Sequence, residues 1–309
     1  MGTGLAGAIF WALDTVILSI AMMQTVFEGS PSAVFLAPFV STFLHDFCSC
    51  IWMLFYIGKK KEYGNVRNAL HTPNGKILLI GSLLGGPVGM TGYVFAIKYL
   101  GASYTAMLSA LYPALGTFFA YVFLKEKMNG RQMGGLFLSV AGMMILGALS
   151  QGEEPRNVML GFLCAMLCVL GWSLEAVICA YAMKNTEITN EHALMIRQGS
   201  SALFHGIVIM NAVSGWGMVR KAAATSAIWL IAAAALFGTM SYLFYYKVIH
   251  RIGPPKAMAL NVTYVFWAML FEIVLLQKIP AFLSVVCGLM ILAGAIIAAL
   301  ETDSGKGDG

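Results

Sequence analysis

The chain has 309 residues, 59% of them hydrophobic and only 11% charged, with a mean hydropathy of +0.80. Those values exclude an ordinary soluble domain and indicate an integral membrane protein. The net charge of +5 follows from loop chemistry, as set out below, and gives no reason to expect a nucleic-acid partner.

Apolar runs of roughly 20 residues, each long enough to cross a hydrocarbon core of about 30 Å as a helix, recur along the chain. Ten are expected. In order they run from Gly4 to Gln24, Ser32 to Ile57, Lys76 to Tyr99, Ala102 to Leu124, Gln132 to Leu149, Val158 to Met183, His192 to Val213, Ser226 to Val248, Ala257 to Leu276 and Phe282 to Leu300. Turn residues (GSPS, GGP, KMNGR, GPP) fall at or near their ends. The N-terminal run lacks a basic region and a small-residue cleavage site, which predicts a retained helix. All six cysteines (Cys48, Cys50, Cys164, Cys168, Cys179, Cys287) fall inside spans and are expected to pack as small apolar groups. Cys164 and Cys168 share a helical face, but no third ligand completes a metal set; no metal or cofactor is expected.

Basic residues collect in alternate loops, as the positive-inside rule requires. With a cytoplasmic N-terminus, the inner side holds Lys59, Lys60, Lys61, Arg67, Lys76, Lys125, Lys127, Arg131, Lys184, Lys247, Arg251, Lys256 and Lys306. The outer side holds Lys98, Arg156, Arg220, Lys221 and Lys278, and Arg197 lies within a span. Both termini are therefore expected in the cytoplasm.

The chain repeats itself internally. Trp11-Ala-Leu-Asp14-Thr-Val-Ile matches Trp172-Ser-Leu-Glu175-Ala-Val-Ile, and Leu44-His45-Asp46 falls opposite Ile196-Arg197-Gln198. Tyr93-Val-Phe95-Ala-Ile-Lys98 lines up with Tyr242-Leu-Phe244-Tyr-Tyr-Lys247, and Leu108, Tyr112, Phe119 and Leu124 match Leu260, Tyr264, Phe271 and Leu276 at one constant offset. Five helices per half is an odd number, so the second half enters the membrane from the opposite side. Inverted repeats of this kind are the architecture of alternating-access transporters, with substrate near the midplane.

The chain resembles, over its whole length, the ten-helix drug/metabolite transporters built from two EamA-type repeats. The resemblance is most specific to the choline importers of the LicB type, through GGPVGM (Gly85 to Met90), AIKYLGASYTAMLSALYPAL (Ala96 to Leu115), GWSLEAV, IRQGSS (Ile196 to Ser201) and SYLFYYKVIHRIGPPKAMALNVTYVFWAMLF (Ser241 to Phe271). It implies an all-α membrane protein with one repeat at 1–150, a second at 151–300 and a polar cytoplasmic tail at 301–309. It also implies a bacterial inner-membrane importer of choline or a related quaternary ammonium. Export of amino acids, drugs or other metabolites on the same scaffold is the alternative.

Charged groups at membrane depth need a partner, a watery cavity or a substrate. Asp14, Asp46, Glu175, Arg197 and the more peripheral Glu272 meet that description, with His45 beside them. The repeat sets Glu175 and Arg197 against Asp14 and His45, two acid and base pairs. Asp14, His45, Asp46 and Arg197 are accordingly candidates for proton coupling or for ion pairing, since a histidine titrates near neutral pH. Three carboxylates against one arginine favour a cation.

Trp52, Trp216 and Trp229 lie near helix ends or in a loop and suit the interfacial belt. Trp11, Trp172 and Trp267 sit well inside spans. Asn261, Tyr264 and Trp267 recur at a spacing that places them on one helical face, while Tyr93 and Tyr242 form a repeat-related pair. A quaternary ammonium has no N–H to donate and is held by ring faces, each desolvated contact contributing about 2 kcal/mol. The candidate substrate site is therefore Trp11, Trp172, Glu175, Tyr93, Tyr242, Tyr264, Trp267 and Asn261.

Asn74-Gly-Lys76 lacks the upstream glycine of a phosphate-binding loop, and neither HExxH nor GxSxG occurs, so no enzyme activity is expected. Gradients must then drive transport; a membrane potential alone gives a monovalent cation about 2.3 kcal/mol per 100 mV, or about 50-fold accumulation. Pro38, Pro87 and Pro113 each remove a backbone hydrogen bond within or near a span. Gly81, Gly85 and the Gly134/Gly135 pair would let helices approach closely.

Overall fold

The computed structural model describes residues 2–124, 129–149, 157–184, 186–252 and 254–299. Lys125, Lys127, Arg156 and Lys306, the expected repeat boundary at 150/151 and the tail 301–309 lie outside the described residues. Among the described residues the chain is all helix and turn, with no strand.

The helices are α1 (Gly2–Met22), α2 (Pro31–Lys60), α3 (Tyr63–His71), α4 (Pro73–Leu100), α5 (Ala102–Ser109), α6 (Tyr112–Leu124) and α7 (Gly130–Leu149). They continue with α8 (Val158–Met183), α9 (Asn190–Ala212), α10 (Trp216–Ala223), α11 (Ala227–Ile252), α12 (Pro254–Asn261), α13 (Tyr264–Leu276) and α14 (Phe282–Ala299). Among the described residues, eight segments are long and apolar enough to cross a membrane, the unit from Ala257 to Leu276 among them. The protein is thus a multi-pass membrane protein. The two other expected spans appear as the broken pair α5/α6 and as the single helix α7.

Local chemistry sets the helix ends. Ser30 caps α2 by accepting from the Ala33 amide at 3.1 Å, with Pro31 at the first position, where its missing N–H costs nothing. Thr72 caps α4 in the same way, through the Gly75 amide and Pro73. Between α4 and α5 the chain turns at Gly101, whose φ of 86° suits only glycine. The buried Glu272 carboxylate accepts from the Ser103 amide at 3.0 Å, so this membrane-embedded acid caps the N-terminus of α5.

Two of the long helices contain wider π turns. In α4 the turn spans Leu84–Met90 and contains Pro87, whose ring cannot continue an α-helical ladder. In α9 it spans His205–Ile209.

The breaks in α5/α6 and α12/α13 occupy matching positions in the two halves, immediately before Tyr112 and Tyr264. Pro113 explains the first, since its amide cannot reach back to Ser109. At the second, Val265 stands where the proline would, and Asn261 with Thr263, whose hydroxyl bonds the Leu260 carbonyl at 2.9 Å, supplies the helix-terminating chemistry.

Packing follows the same pairing. The contact of α1 with α11 has its counterpart in α8 with α4, and that of α1 with α13 in α8 with α6. The pairs α7/α14 and α2/α9 join equivalent helices. At the α7/α14 contact, a Cβ on Gly135 would lie 2.6 Å from the Ala298 amide nitrogen, whereas one on Gly134 meets nothing within 4 Å. Of the expected glycine pair, only Gly135 makes the close approach. Gly135→Val is therefore expected to destabilise the protein by about 1–3 kcal/mol and to lower its melting temperature in detergent, while Gly134→Val leaves it unchanged.

Candidate functional site

Glu175 on α8 and Arg197 on α9 meet in the interior, Nε to Oε1 at 3.0 Å, with the arginine fully buried. All three guanidinium nitrogens are engaged. Nη1 donates to the Gln198 carbonyl at 2.9 Å, and Nη2 to the Tyr242 hydroxyl at 2.8 Å and the Gly85 carbonyl at 3.4 Å. The Tyr246 hydroxyl donates to the same Glu175 oxygen at 2.9 Å, and the guanidinium lies over the Tyr242 ring, 4.2 Å from its centroid. Arg197 thus serves as a structural cation that neutralises Glu175 and fixes Tyr242.

The π turn of α4 makes this possible. A Cβ on Gly85 would fall 1.8 Å from a Glu175 oxygen, and one on Gly89 would fall 2.7 Å from the Trp172 ring. Only bare backbone fits over Trp172 and Glu175. The widened turn also leaves the Gly85 carbonyl free to accept from the Trp172 indole at 3.2 Å.

Around this pair the rings gather. Trp11 lies 5.2 Å from Trp172 and 5.3 Å from Tyr242, both edge-on. Tyr93 backs both indoles, at 5.6 and 4.8 Å, and its hydroxyl is 2.7 Å from that of Thr15. Tyr112 meets Trp172 edge-on at 6.1 Å. Within the cluster is a cavity of about 30 Å³, lined by Trp11, Trp172, Glu175, Tyr242 and Asn261 together with Tyr112, Ser241, Tyr245 and Tyr246.

Five of the eight residues expected from sequence line this cavity. Tyr93 stands one layer behind. Tyr264 is fully buried against Ser109, hydroxyl to hydroxyl at 2.6 Å, and Trp267 is half-buried beside Phe266; neither lines it. The helix breaks between Asn261 and Tyr264, so the single face expected for Asn261, Tyr264 and Trp267 is not continuous. Tyr112, Tyr245 and Tyr246 line the cavity in addition to the residues expected from sequence. Their signals were present: Tyr112 matches Tyr264 in the repeat, and Tyr242 and Tyr246 are one helical turn apart.

A second buried cluster begins one turn along α1 from Trp11. Asp14 meets His45 at 3.0 Å, and the other imidazole nitrogen faces Asp46 at 3.5 Å. Asp46 accepts a short hydrogen bond from Ser201 and lies 3.3 Å from His205, whose far nitrogen is 2.9 Å from the Thr91 hydroxyl. The chain of contacts runs from Asp14 to the half-buried Thr91 at the end of the π turn. His205 is absent from the expected site, although Arg197, Ser201 and His205 recur every four residues on one helical face. Gly238 lets α11 close over Asp14, since a Cβ there would lie 2.7 Å from Oδ2, an atom with no hydrogen-bond partner.

The EamA-like transporter family matches residues 1–148 and 159–300. The chain belongs to that family. This EamA-like transporter is 28% identical to Protein LicB of Haemophilus influenzae over 295 residues, 95% of each chain. It also resembles a protein solved by crystallography, with a TM-score of 0.62 at 18% identity, covering 96% of this chain and 95% of the other; that likeness concerns the fold alone.

Breaking a buried ion pair from one side leaves an uncompensated charge, at a cost of about 3–5 kcal/mol. Arg197→Met should therefore lower the melting temperature sharply. The double variant Arg197→Met with Glu175→Gln should recover most of the loss in the same thermal melts.

Proposed function

We propose that this EamA-like transporter imports choline or a closely related quaternary-ammonium cation across a bacterial inner membrane. The observation that carries the reading is the cavity walled by Trp11, Trp172 and Tyr242 with Glu175 at its edge. Ring faces are what a cation without N–H groups requires. The resemblance of GWSLEAV and its companion segments to choline importers points the same way.

In this reading the chain crosses the membrane ten times, as two inverted five-helix repeats at 1–150 and 151–300, with both termini and the tail 301–309 in the cytoplasm. The paired helix breaks and the exchanged contacts of the two halves support it. Contacts between charged and polar groups at the helix ends support it as well. Lys60 pairs with Glu191 at 2.9 Å and Glu62 meets His192 at 2.9 Å, joining helix ends assigned to the inner side, while Lys98 pairs with Glu28 at 3.1 Å at ends assigned to the outer.

A cavity of about 30 Å³ has room for one or two waters. A trimethylammonium group enters only when the rings separate, and the rocking of one repeat against the other supplies that motion. With Glu175 neutralised by Arg197, the acids that favour a cation electrostatically are Asp14 and Asp46. They lie in the Asp14, His45, Asp46 and His205 cluster, which is also the place for a proton to load or leave. The membrane potential contributes the rest of the driving force.

Trp172→Ala removes the ring shared by the cavity and its backing layer. Saturable choline uptake into proteoliposomes is expected to disappear while the protein remains folded. Unchanged uptake contradicts the proposal, as does thermal stabilisation by amino acids or drugs with none by choline.

A further inference from the structure

The two broken helices clasp each other at their breaks. Ser109 ends α5, and its hydroxyl lies 2.6 Å from that of Tyr264, which opens α13. Asn261 ends α12, and its Nδ2 donates to the hydroxyl of Tyr112, which opens α6, at 3.2 Å. Ser109 stands in the first half where Asn261 stands in the second, and Tyr112 where Tyr264 does. The same bond is made twice.

The two copies differ in what is left over. Ser109 also donates to the Thr105 carbonyl at 2.7 Å, and both it and Tyr264 are buried away from the cavity, so the first clasp is saturated. A serine suffices there. In the second clasp the amide carries one polar atom more than a serine does, and that atom, Asn261 Oδ1, is shielded from solvent without a partner. Asn261 and Tyr112 both line the cavity, and Tyr112 abuts Trp172. The spare amide atom thus belongs to a residue of the cavity wall, and a buried polar atom is expected to find a partner.

We infer that Asn261 is the residue that recognises the hydroxyl group of a hydroxyalkyl quaternary ammonium, with the ammonium held among Trp11, Trp172 and Tyr242. This rests on the quaternary-ammonium reading given above. A trimethylammonium head offers no directional contact, so the hydroxyl is the one group on such a cation that a hydrogen bond can read. A hydroxyl both donates and accepts, so it pairs with the amide in either orientation. An analogue lacking it leaves the amide atom unpaired, which is how a polar site rejects an isostere.

The test compares choline with n-propyltrimethylammonium, its isostere without the oxygen, by equilibrium binding to the full-length protein in detergent. The variant Asn261→Ser places in the second clasp the residue that closes the first, so the bond to Tyr112 can persist while the spare amide atom is lost. The wild-type protein is expected to bind choline about tenfold more tightly than the propyl analogue, the weight of one buried hydrogen bond. Asn261→Ser should weaken choline about tenfold and leave the analogue within about twofold, with an unaltered melting temperature. Equal affinity of the wild-type protein for both amines overturns the inference while the cage stands, and this comparison holds whether or not the variant folds. An equal loss of both ligands in Asn261→Ser likewise overturns it. Binding of neither amine by the wild-type protein overturns the quaternary-ammonium reading and the hydroxyl site with it.

Discussion

The interior of this protein is organised around one ion pair. Arg197 and Glu175 are taken out of water together, and charges at membrane depth are costly unless they are paired and hydrogen-bonded. Meeting that requirement draws in Gln198 from α9 itself, Tyr242 and Tyr246 from α11 and the Gly85 carbonyl from the π turn of α4. Four helices are thereby held in register. The positions of Trp172 and Tyr242, and so the walls of the cavity, follow from it. The need for glycine at 85 and 89 follows too, because any side chain there would occupy the space of Glu175 or Trp172.

The two halves share a plan and use it differently. Glu175 with Arg197 repeats Asp14 with His45, yet the first pair holds a guanidinium that stays charged and the second an imidazole shared between two carboxylates, Asp14 and Asp46. The first is suited to architecture. The second continues through Asp46 to Ser201 and His205 as a chain of buried polar contacts. The same divergence occurs at the helix breaks, where a saturated serine clasp in one half faces an amide clasp with a spare atom in the other. Duplication supplied the scaffold, and single residues at equivalent positions separate the structural copy from the one that faces the cavity.

Much of this was legible in the sequence because membrane physics is strict. Apolar length marks the spans, and the paired Trp11/Asp14 and Trp172/Glu175 mark the repeat and both indoles of the cavity wall. What escaped depended on backbone geometry that hydropathy does not register. The break before Tyr264 has no proline to announce it, so a helical face was expected to continue through it and carry Tyr264 and Trp267 to the site. The π turn of α4 is visible as Gly-Gly-Pro, but its effect, opening a carbonyl toward Trp172 and Arg197, needs the neighbouring helices. His205 lies in an apolar run, and its partner Asp46 belongs to α2, so only the four-residue spacing from Arg197 pointed to it.

The central claim is that the cation is held by ring faces beside a neutralised carboxylate. A density map of the protein with choline bound tests it most directly. The account predicts the choline nitrogen within about 6 Å of the ring centroids of Trp11, Trp172 and Tyr242, the range of a cation–π contact. A nitrogen outside that range of all three rings, seated instead between Asp14 and Asp46 or at the lipid-facing surface, would contradict it.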